Sequence, residues 1–193
     1  MQIVHYPHPA LRWKSKPIVE INADLRATVR RMFDLMYESK GIGLAANQVA
    51  LPYRLFVVNP TGDAAETDEE HVFINPEIIR RNGSAEGEEG CLSLPDLFGL
   101  VRRADQVVIN AFDLEGREFE MGLTEMPSRV VQHETDHLDG VLFIDRLTEA
   151  ARRQVEPRLA EFEAVYRGRQ SSGELPPDAE LERLLRALEP RGG

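Results

Sequence analysis

Two histidines four residues apart, with a glutamate directly after the first, form the segment of this chain best suited to chemistry. His133 and His137 stand at positions i and i+4, which lie on one face of an α-helix, so both imidazoles can reach one metal ion. Glu134 projects about a hundred degrees round the helix from His133, towards the side of the metal on which a water would bind. A metal that activates a water and a carboxylate that moves its proton are the elements of hydrolysis. The pattern therefore predicts a metal-dependent hydrolase.

A catalytic site of this kind needs a third protein ligand. The metzincin pattern continues with a glycine, here Gly140, and then a histidine, but the residue at that position is Phe143, which cannot bind a metal. Thermolysin-like enzymes take a glutamate from a later helix, and four are available: Glu149, Glu156, Glu161 and Glu163. The other source is Cys91, because a thiolate binds Zn²⁺ or Fe²⁺ well and the preceding Gly90 lets the backbone approach an ion closely. From the residues alone, the glutamate and the cysteine both stay open.

The composition is that of a globular protein in a reducing compartment. The chain has 193 residues, of which 42% are hydrophobic and 29% charged, enough for one domain with an appendage. Its net charge of −10 argues against direct nucleic-acid binding. A single cysteine cannot form an intramolecular disulfide. No apolar run has membrane length and the N-terminal residues do not resemble a signal or transit peptide, so we expect a cytoplasmic protein with no membrane contact.

Helical periodicity places both histidines on one of several predicted helices. These are predicted at 23–39, about 125–139, about 148–167 and 178–188. For the second, Thr124 is the predicted N-cap and Gly140 the predicted C′ residue. Residues beyond Gly168 have the composition of a linker. In the last helix, four leucines are expected on one side: Leu181, Leu184, Leu185 and Leu188.

Strand patterns fill the middle of the chain. Strands are predicted at 54–59 and 71–75, with a hairpin formed by 106–112 and 117–123. Pro76 is predicted to end the second of these strands. Residues 41–48 are expected to form a glycine-led turn, and residues 61–70, with five acids, a solvated loop. Because strands and helices do not alternate regularly, the predicted fold class is α+β, with mainly antiparallel sheets around the central metal-binding helix at about 125–139.

Three segments, in this order, resemble the signature motifs of the peptide deformylases. They are residues 41–48 (GIGLAANQ), 89–93 (EGCLS) and 132–138 (QHETDHL). The resemblance covers about residues 1–148, which we expect to form a catalytic domain with the deformylase fold. Residues 149–193 resemble nothing in that family and are expected to form a C-terminal helical extension with a flexible tail rich in proline, glycine and serine.

The resemblance implies a role for each motif residue. The metal ligands would be Cys91, His133 and His137, and the metal would be Fe²⁺, for which Zn²⁺, Ni²⁺ or Co²⁺ can substitute. Glu134 would act as general base and then general acid. The side-chain amide of Gln48 and the backbone N–H of Leu92 would stabilise the oxyanion. The implied reaction is attack by a metal-bound water on the formyl group of N-formylmethionyl nascent polypeptides, with release of formate.

A pocket for the methionine side chain should lie beside these groups. Ile42 and Val130 are the candidates for its walls, and Gly43 and Glu89 for binding the substrate backbone through main-chain groups. Arg103 resembles an arginine that pairs with the motif glutamate in relatives. The chain departs from the best-known bacterial members at three positions: Gly87 and Arg129, where apolar residues are common, and Phe98, which replaces an arginine.

Two other functions fit parts of the pattern. A zinc endopeptidase would use His133, His137 and a downstream glutamate. A non-enzymatic module would hold a structural metal in a closed coordination shell. For a deformylase, the implied partner besides the nascent peptide is the ribosome, in a transient contact. Residues 149–170, however, hold five arginines and four glutamates, a balance unlike the basic docking helix of some relatives.

Overall fold

The fold is α+β, as predicted, in a computed structural model that describes residues 1–190. This part of the chain contains four α-helices: α1 (Ala23–Glu38), α2 (Glu125–Leu138), α3 (Glu149–Ser171) and α4 (Asp178–Leu188). It also contains seven strands: β1 (Gly43–Ala45), β2 (Leu55–Val58), β3 (His71–Asn82), β4 (Ala85–Cys91), β5 (Leu94–Arg103), β6 (Gln106–Phe112) and β7 (Glu118–Thr124). Within residues 1–190, no helix combines the length and the apolar character needed to cross a bilayer.

The strands form two antiparallel sheets, and α2 packs between them. One sheet has the order β1-β2-β3-β6-β7 and the other is the β4–β5 hairpin. The helix α2 contacts β1, β2 and β7 and buries Val130, Val131 and Leu138 in a core that includes Phe56 and Phe73. The prediction of antiparallel sheets around this helix is confirmed. Its position brings one helix face, with both histidines, to the junction of the two sheets.

Two helix predictions hold with small differences at their ends. In α1, the predicted periodic residues Leu25, Val29, Met32, Phe33 and Met36 are all buried, as an apolar stripe with a 3.6-residue period requires. Gly140 follows α2 in the left-handed conformation, with φ of 73°, which confirms it as the C′ residue. Thr124 occupies the N-cap position, but its side chain caps nothing. The N–H of Glu125 donates instead to the carbonyl of Asp105.

The prediction that Pro76 ends a strand is wrong. The strand β3 runs from His71 through Pro76 to Asn82, and its register against β6 shifts between Ile74 and Glu77. Such a bulge leaves one residue out of the ladder, so a residue without an N–H is tolerated there. Asn75 takes a φ of 52° at this point, and its side chain bonds both backbone groups of Ile18.

Two further segments contain regular structure that the sequence patterns did not predict. Residues 41–48, expected to be a turn, contain β1 and a short 3-10 helix, Ala46–Val49. Strand β4 makes up most of residues 83–93, although glycine and glutamate are poor strand formers. The strand exists because it pairs with β5 along its whole length. The acidic segment 61–70 is largely exposed, as predicted, with one 3-10 turn at Thr67–Glu69.

Helices α3 and α4 lie against the rest of the chain. Thr148 caps α3 at the predicted start, and Leu159 joins a core cluster with Leu94 of β5. The helix continues to Ser171, past the predicted end at 167. In α4, Leu181 and Leu185 are buried, whereas Leu184 and Leu188 are exposed, so only two of the four leucines face the protein. The division into two domains at residue 148 stays a prediction.

Candidate metal centre and active site

Three side chains from two distant segments place their donor atoms together. Cys91 Sγ lies 3.3 Å from His137 Nε2, which lies 3.2 Å from His133 Nε2. All three donor atoms are within 4.8 Å of one another, and within residues 1–190 they are the one group of three or more such side chains found close enough to hold a metal. The structure therefore brings the three predicted ligands to one point.

Local structure explains how the donors converge. The histidines are one turn apart on α2, so their rings lie side by side, with centroids 4.9 Å apart. Cys91 ends β4, directly after a register shift between Gly90 and Cys91. A bulge at this point re-aims the side chain that follows it. Phe143, at the metzincin ligand position, stacks on the His133 ring with centroids 6.3 Å apart and so supports that ligand by packing.

The donor set fits a metal of the Zn²⁺ or Fe²⁺ type. For ligand bonds of about 2.0–2.3 Å in a tetrahedral arrangement, neighbouring donors lie about 3.2–3.5 Å apart. The distances from His137 Nε2 to Cys91 Sγ and to His133 Nε2 match this range. His133 Nδ1 lies 3.0 Å from Glu89 Oε2. A carboxylate that accepts the Nδ1 proton leaves the Nε2 lone pair for a metal, the usual arrangement of a ligating histidine.

Glu134 is buried beside this cluster. Its side chain lies over Gly43, and its Oε2 has no hydrogen-bond partner among residues 1–190. Burial raises the pKa of Glu134 to about 7, because a carboxylate without water around it is destabilised relative to the neutral acid. A carboxyl group with this pKa can both accept and donate a proton near neutral pH.

Gln48 is fixed at both ends of its amide. Its Oε1 accepts the N–H of Ala45 at 2.8 Å, and its Nε2 lies 3.4 Å from Cys91 Sγ and 3.3 Å from Ser93 Oγ. The first bond fixes which end of the amide is the NH₂, since a backbone N–H needs an acceptor. The donor end of Gln48 therefore points at the metal cluster. Leu92, the other predicted oxyanion donor, lines the same cavity.

A buried ion-pair network supports Glu89. Arg103 binds both carboxylate oxygens of Glu89 at 2.9 Å, as expected from the resemblance, and Arg129 Nη1 binds Oε1 at 2.8 Å. Burial alone would raise the pKa of Glu89, but the hydrogen bonds from Arg103 and His133 hold it well below its usual range. Arg103 also binds Asp136, which in turn binds Arg146. Positive and negative side chains alternate along this network, so each buried charge has a partner of opposite charge.

A cavity of about 910 Å³ opens beside the cluster. The four predicted substrate-binding residues all line it: Ile42, Gly43, Glu89 and Val130. Arg129, named in the sequence analysis as a departure from the best-known members, also lines it, one helical turn before His133. Sequence reasoning missed the contribution of the N-terminal arm, which supplies Gln2, Ile3 and His5.

Comparison with known proteins shows which family the chain resembles. Residues 1–153 match the sequence profile described as polypeptide deformylase. The peptide deformylase of Rhodopirellula baltica is 48% identical over 181 residues, which cover 94% of this chain and 90% of that protein. A crystal structure of the peptide deformylase from Plasmodium falciparum superposes with a TM-score of 0.84 at 40% identity, covering 86% of this chain and 98% of that one. The Arabidopsis thaliana peptide deformylase 1B in complex with an inhibitor gives a TM-score of 0.83 at 41% identity, covering 91% and 96%.

Fold and site together define a metal-dependent hydrolase of the α+β class. Within that class, the chain belongs to the polypeptide deformylase family. The resemblance carried by the three motifs is confirmed. Members of this family act on the N-terminal formyl group of nascent peptides.

Proposed function

We propose that this chain removes the formyl group from N-formylmethionyl nascent peptides with Glu134 as the proton carrier. The observation that carries the proposal is the convergence of Cys91, His133 and His137 beside the buried Glu134 carboxylate. The net reaction adds water across the formyl C–N bond: a C–O bond forms, the C–N bond breaks, and formate and a free amino terminus leave. The metal ligands and the roles below belong to this proposal.

The cavity supplies a place for the substrate. Ile42 and Val130 offer apolar surface for a methionine side chain, which is flexible and adapts to an irregular pocket. Gly43 and Glu89 lie on strands β1 and β4, and both line the cavity. Main-chain groups of both can bind an extended peptide between them, as in recognition by strand addition.

A metal held by the Cys91, His133 and His137 donors would acidify a water and polarise the formyl oxygen. Glu134 accepts a proton from that water and later delivers it to the departing amine nitrogen. Its Oε2, which has no hydrogen-bond partner among residues 1–190, is available for both transfers. Gln48 Nε2 and the Leu92 N–H donate to the oxygen on which negative charge develops. Fe²⁺ is the metal proposed, and Zn²⁺, Ni²⁺ or Co²⁺ would suit the same donors.

The test measures formate release from a formyl-Met-Ala-Ser peptide by the protein loaded with Fe²⁺ or Ni²⁺ under low oxygen. Glu134→Ala is the control, because it removes the proton carrier and leaves the three metal donors. We expect turnover by the wild type and a loss of about 10²–10⁴-fold in kcat for the variant. Equal rates for the two proteins, or none for either, would refute the proposal. Docking to the ribosome and location in the cytoplasm stay predictions.

A further inference from the structure

Helix α4 is linked to the active site by a short path of packed elements. It lies against the 3-10 turn Pro9–Arg12 of the N-terminal arm. The same turn lies against the 3-10 helix Ala46–Val49, which carries Gln48. Within the turn, Ala10 and Leu11 are completely buried. A shift of α4 can therefore reach the segment that holds Gln48 through one intervening element.

The contact between α4 and the arm is built from several interactions. Just after the helix, Glu189 Oε1 accepts the indole N–H of Trp13 at 3.1 Å, and the Arg186 guanidinium lies 5.7 Å from the centre of the same indole ring. Leu181 and Leu185 are 9% and 2% exposed. Buried apolar surface, a cation over an aromatic ring and a hydrogen bond to a carboxylate together hold α4 in place.

The arm is also bonded to two of the motif segments. The N–H of Val4 donates to the carbonyl of Gln48 at 2.8 Å, and the N–H of Tyr6 donates to the carbonyl of Ser93 at 2.9 Å. Ser93 Oγ is itself 3.3 Å from Gln48 Nε2. Because a close-packed interior transmits small displacements, the position of the arm helps to set the position of the Gln48 amide.

We propose that α4 is a positioning element for the Gln48 amide and acts through the turn Pro9–Arg12. The inference rests on the proposed function, in which Gln48 Nε2 donates to the oxygen on which negative charge develops. Such a donor must lie within about 2.7–3.1 Å of that oxygen, and a misplacement of about 1 Å can cost about 10²-fold in rate. Since the charge exists only in the transition state, loosening α4 should lower kcat and leave KM nearly unchanged.

The experiment is a double-mutant cycle measured with the formyl-Met-Ala-Ser peptide. Leu185→Ala removes most of a buried side chain from α4, and kcat should fall by about tenfold. In a Gln48→Ala protein the same substitution should lower kcat no further, because the group through which α4 acts is gone. A loss of folded protein, by contrast, would lower the rate by the same factor in both backgrounds. Leu184→Ala is the matched control, since Leu184 lies on the same helix, is 44% exposed and should give the wild-type kcat.

Hydrogen exchange gives a second readout that does not depend on turnover. The N–H of Ala45 donates to Gln48 Oε1, so its exchange rate, followed by NMR, reports how firmly the Gln48 side chain is held. Leu185→Ala should speed this exchange, and Leu184→Ala should not. Glu189→Ala removes only the acceptor of the Trp13 N–H. It should produce smaller changes in the same direction, and it keeps the proposal testable if Leu185→Ala does not fold.

Two results would overturn the proposal. One is an equal fractional loss of kcat with and without the Gln48 side chain, and the other is an Ala45 exchange rate that stays at the wild-type value in the folded α4 variants. Either would leave α4 as a structural brace alone. A wild type that releases no formate would refute the proposed function instead, and the exchange measurement would still test whether α4 holds the Gln48 amide.

Discussion

The carboxylate of Glu134 lies directly over the α-carbon of Gly43. A methyl group at position 43 would stand 2.5 Å from Glu134 Oε1 and 3.0 Å from its Cδ. Gly43 belongs to the first motif and Glu134 to the third, so the two motifs meet at the proposed proton carrier. A glycine is required at position 43 because the Glu134 carboxylate lies too close for a side chain. The backbone conformation imposes no such requirement, since residue 43 lies in an ordinary strand.

Gly43→Ala should therefore displace the Glu134 carboxylate and lower kcat. We expect a loss of about 10²-fold or more, the range for a mispositioned general base. Metal content should stay at the wild-type level, because Cys91, His133 and His137 are untouched. Gly122→Ala is the control, since nothing lies within 4 Å of a β-carbon there. Full activity of Gly43→Ala would show that Glu134 tolerates a shift and that the contact has no catalytic consequence.

Gln48→Ala should lower kcat by about 10²–10³-fold, the usual effect of losing one oxyanion donor. KM should change little, because the donor acts on charge that appears only in the transition state. Steady-state kinetics on the formyl-Met peptide separates the two constants. Ser93→Ala provides the comparison: it removes a neighbour of the Gln48 amide and keeps the donor. A Gln48 variant that raises KM with kcat unchanged would assign Gln48 to substrate binding.

Cys91→Ala should abolish equimolar metal binding, whereas Glu149→Ala should retain it. The thiol is one of three clustered donors, and Glu149, with its side chain 83% exposed, pairs with Arg153. Metal analysis after dialysis, together with formate release, distinguishes the two variants. The endopeptidase hypothesis with a downstream glutamate ligand predicts that a glutamate variant loses the metal and Cys91→Ala keeps it. That result would show that Cys91 is not a metal ligand.

The helices and the hairpin could be predicted because their signals are local. The stripe from Leu25 to Met36 and the spacing of His133 and His137 depend only on the 3.6-residue repeat. The three motifs identified the donors through their resemblance to a family, since residues alone left Cys91 and the glutamates open. The family resemblance implied that Cys91 lies beside α2. The residues around Cys91 in the sequence contain no pattern that predicts this contact.

The parts that were missed depend on contacts between distant residues. Strand β4 is rich in glycine and glutamate and is stable because β5 pairs with it and because Arg129 and Arg103 bind its Glu89. Pro76 passes through β3 because a bulge removes the need for its N–H. Gly87 and Arg129 looked like two unrelated departures from relatives, but they touch across 42 positions of sequence. No pattern within a short window contains such information.

The burial of His8, which is not one of the clustered metal donors, leads to a prediction of how stability depends on pH. It is 7% exposed, its Nδ1 accepts the N–H of Ala10 at 3.1 Å, and its ring packs edge-on against Tyr166. Burial lowers the pKa of His8 to about 4, although the carboxylate of Asp178 opposes the shift. The His8 ring is therefore neutral in the folded protein.

The direction in which stability changes with pH follows from proton linkage. Below the unfolded pKa of about 6.5, the unfolded chain binds a proton at His8 that the folded protein does not bind, so stability falls as pH drops towards 4. The loss of stability attributable to His8 should approach about 3 kcal/mol at the acid end of that window, because each pH unit between the unfolded and folded pKa values contributes about 1.4 kcal/mol. His8→Asn retains an acceptor for the Ala10 N–H and removes the titration. Urea unfolding at several values between about pH 7 and pH 4.5 should give a flatter curve for His8→Asn than for the wild type. Any release of the metal at acid pH is common to both proteins and cancels when their curves are compared. Parallel curves of stability against pH would mean that the His8 ring is protonated as readily in the folded protein as in the unfolded chain.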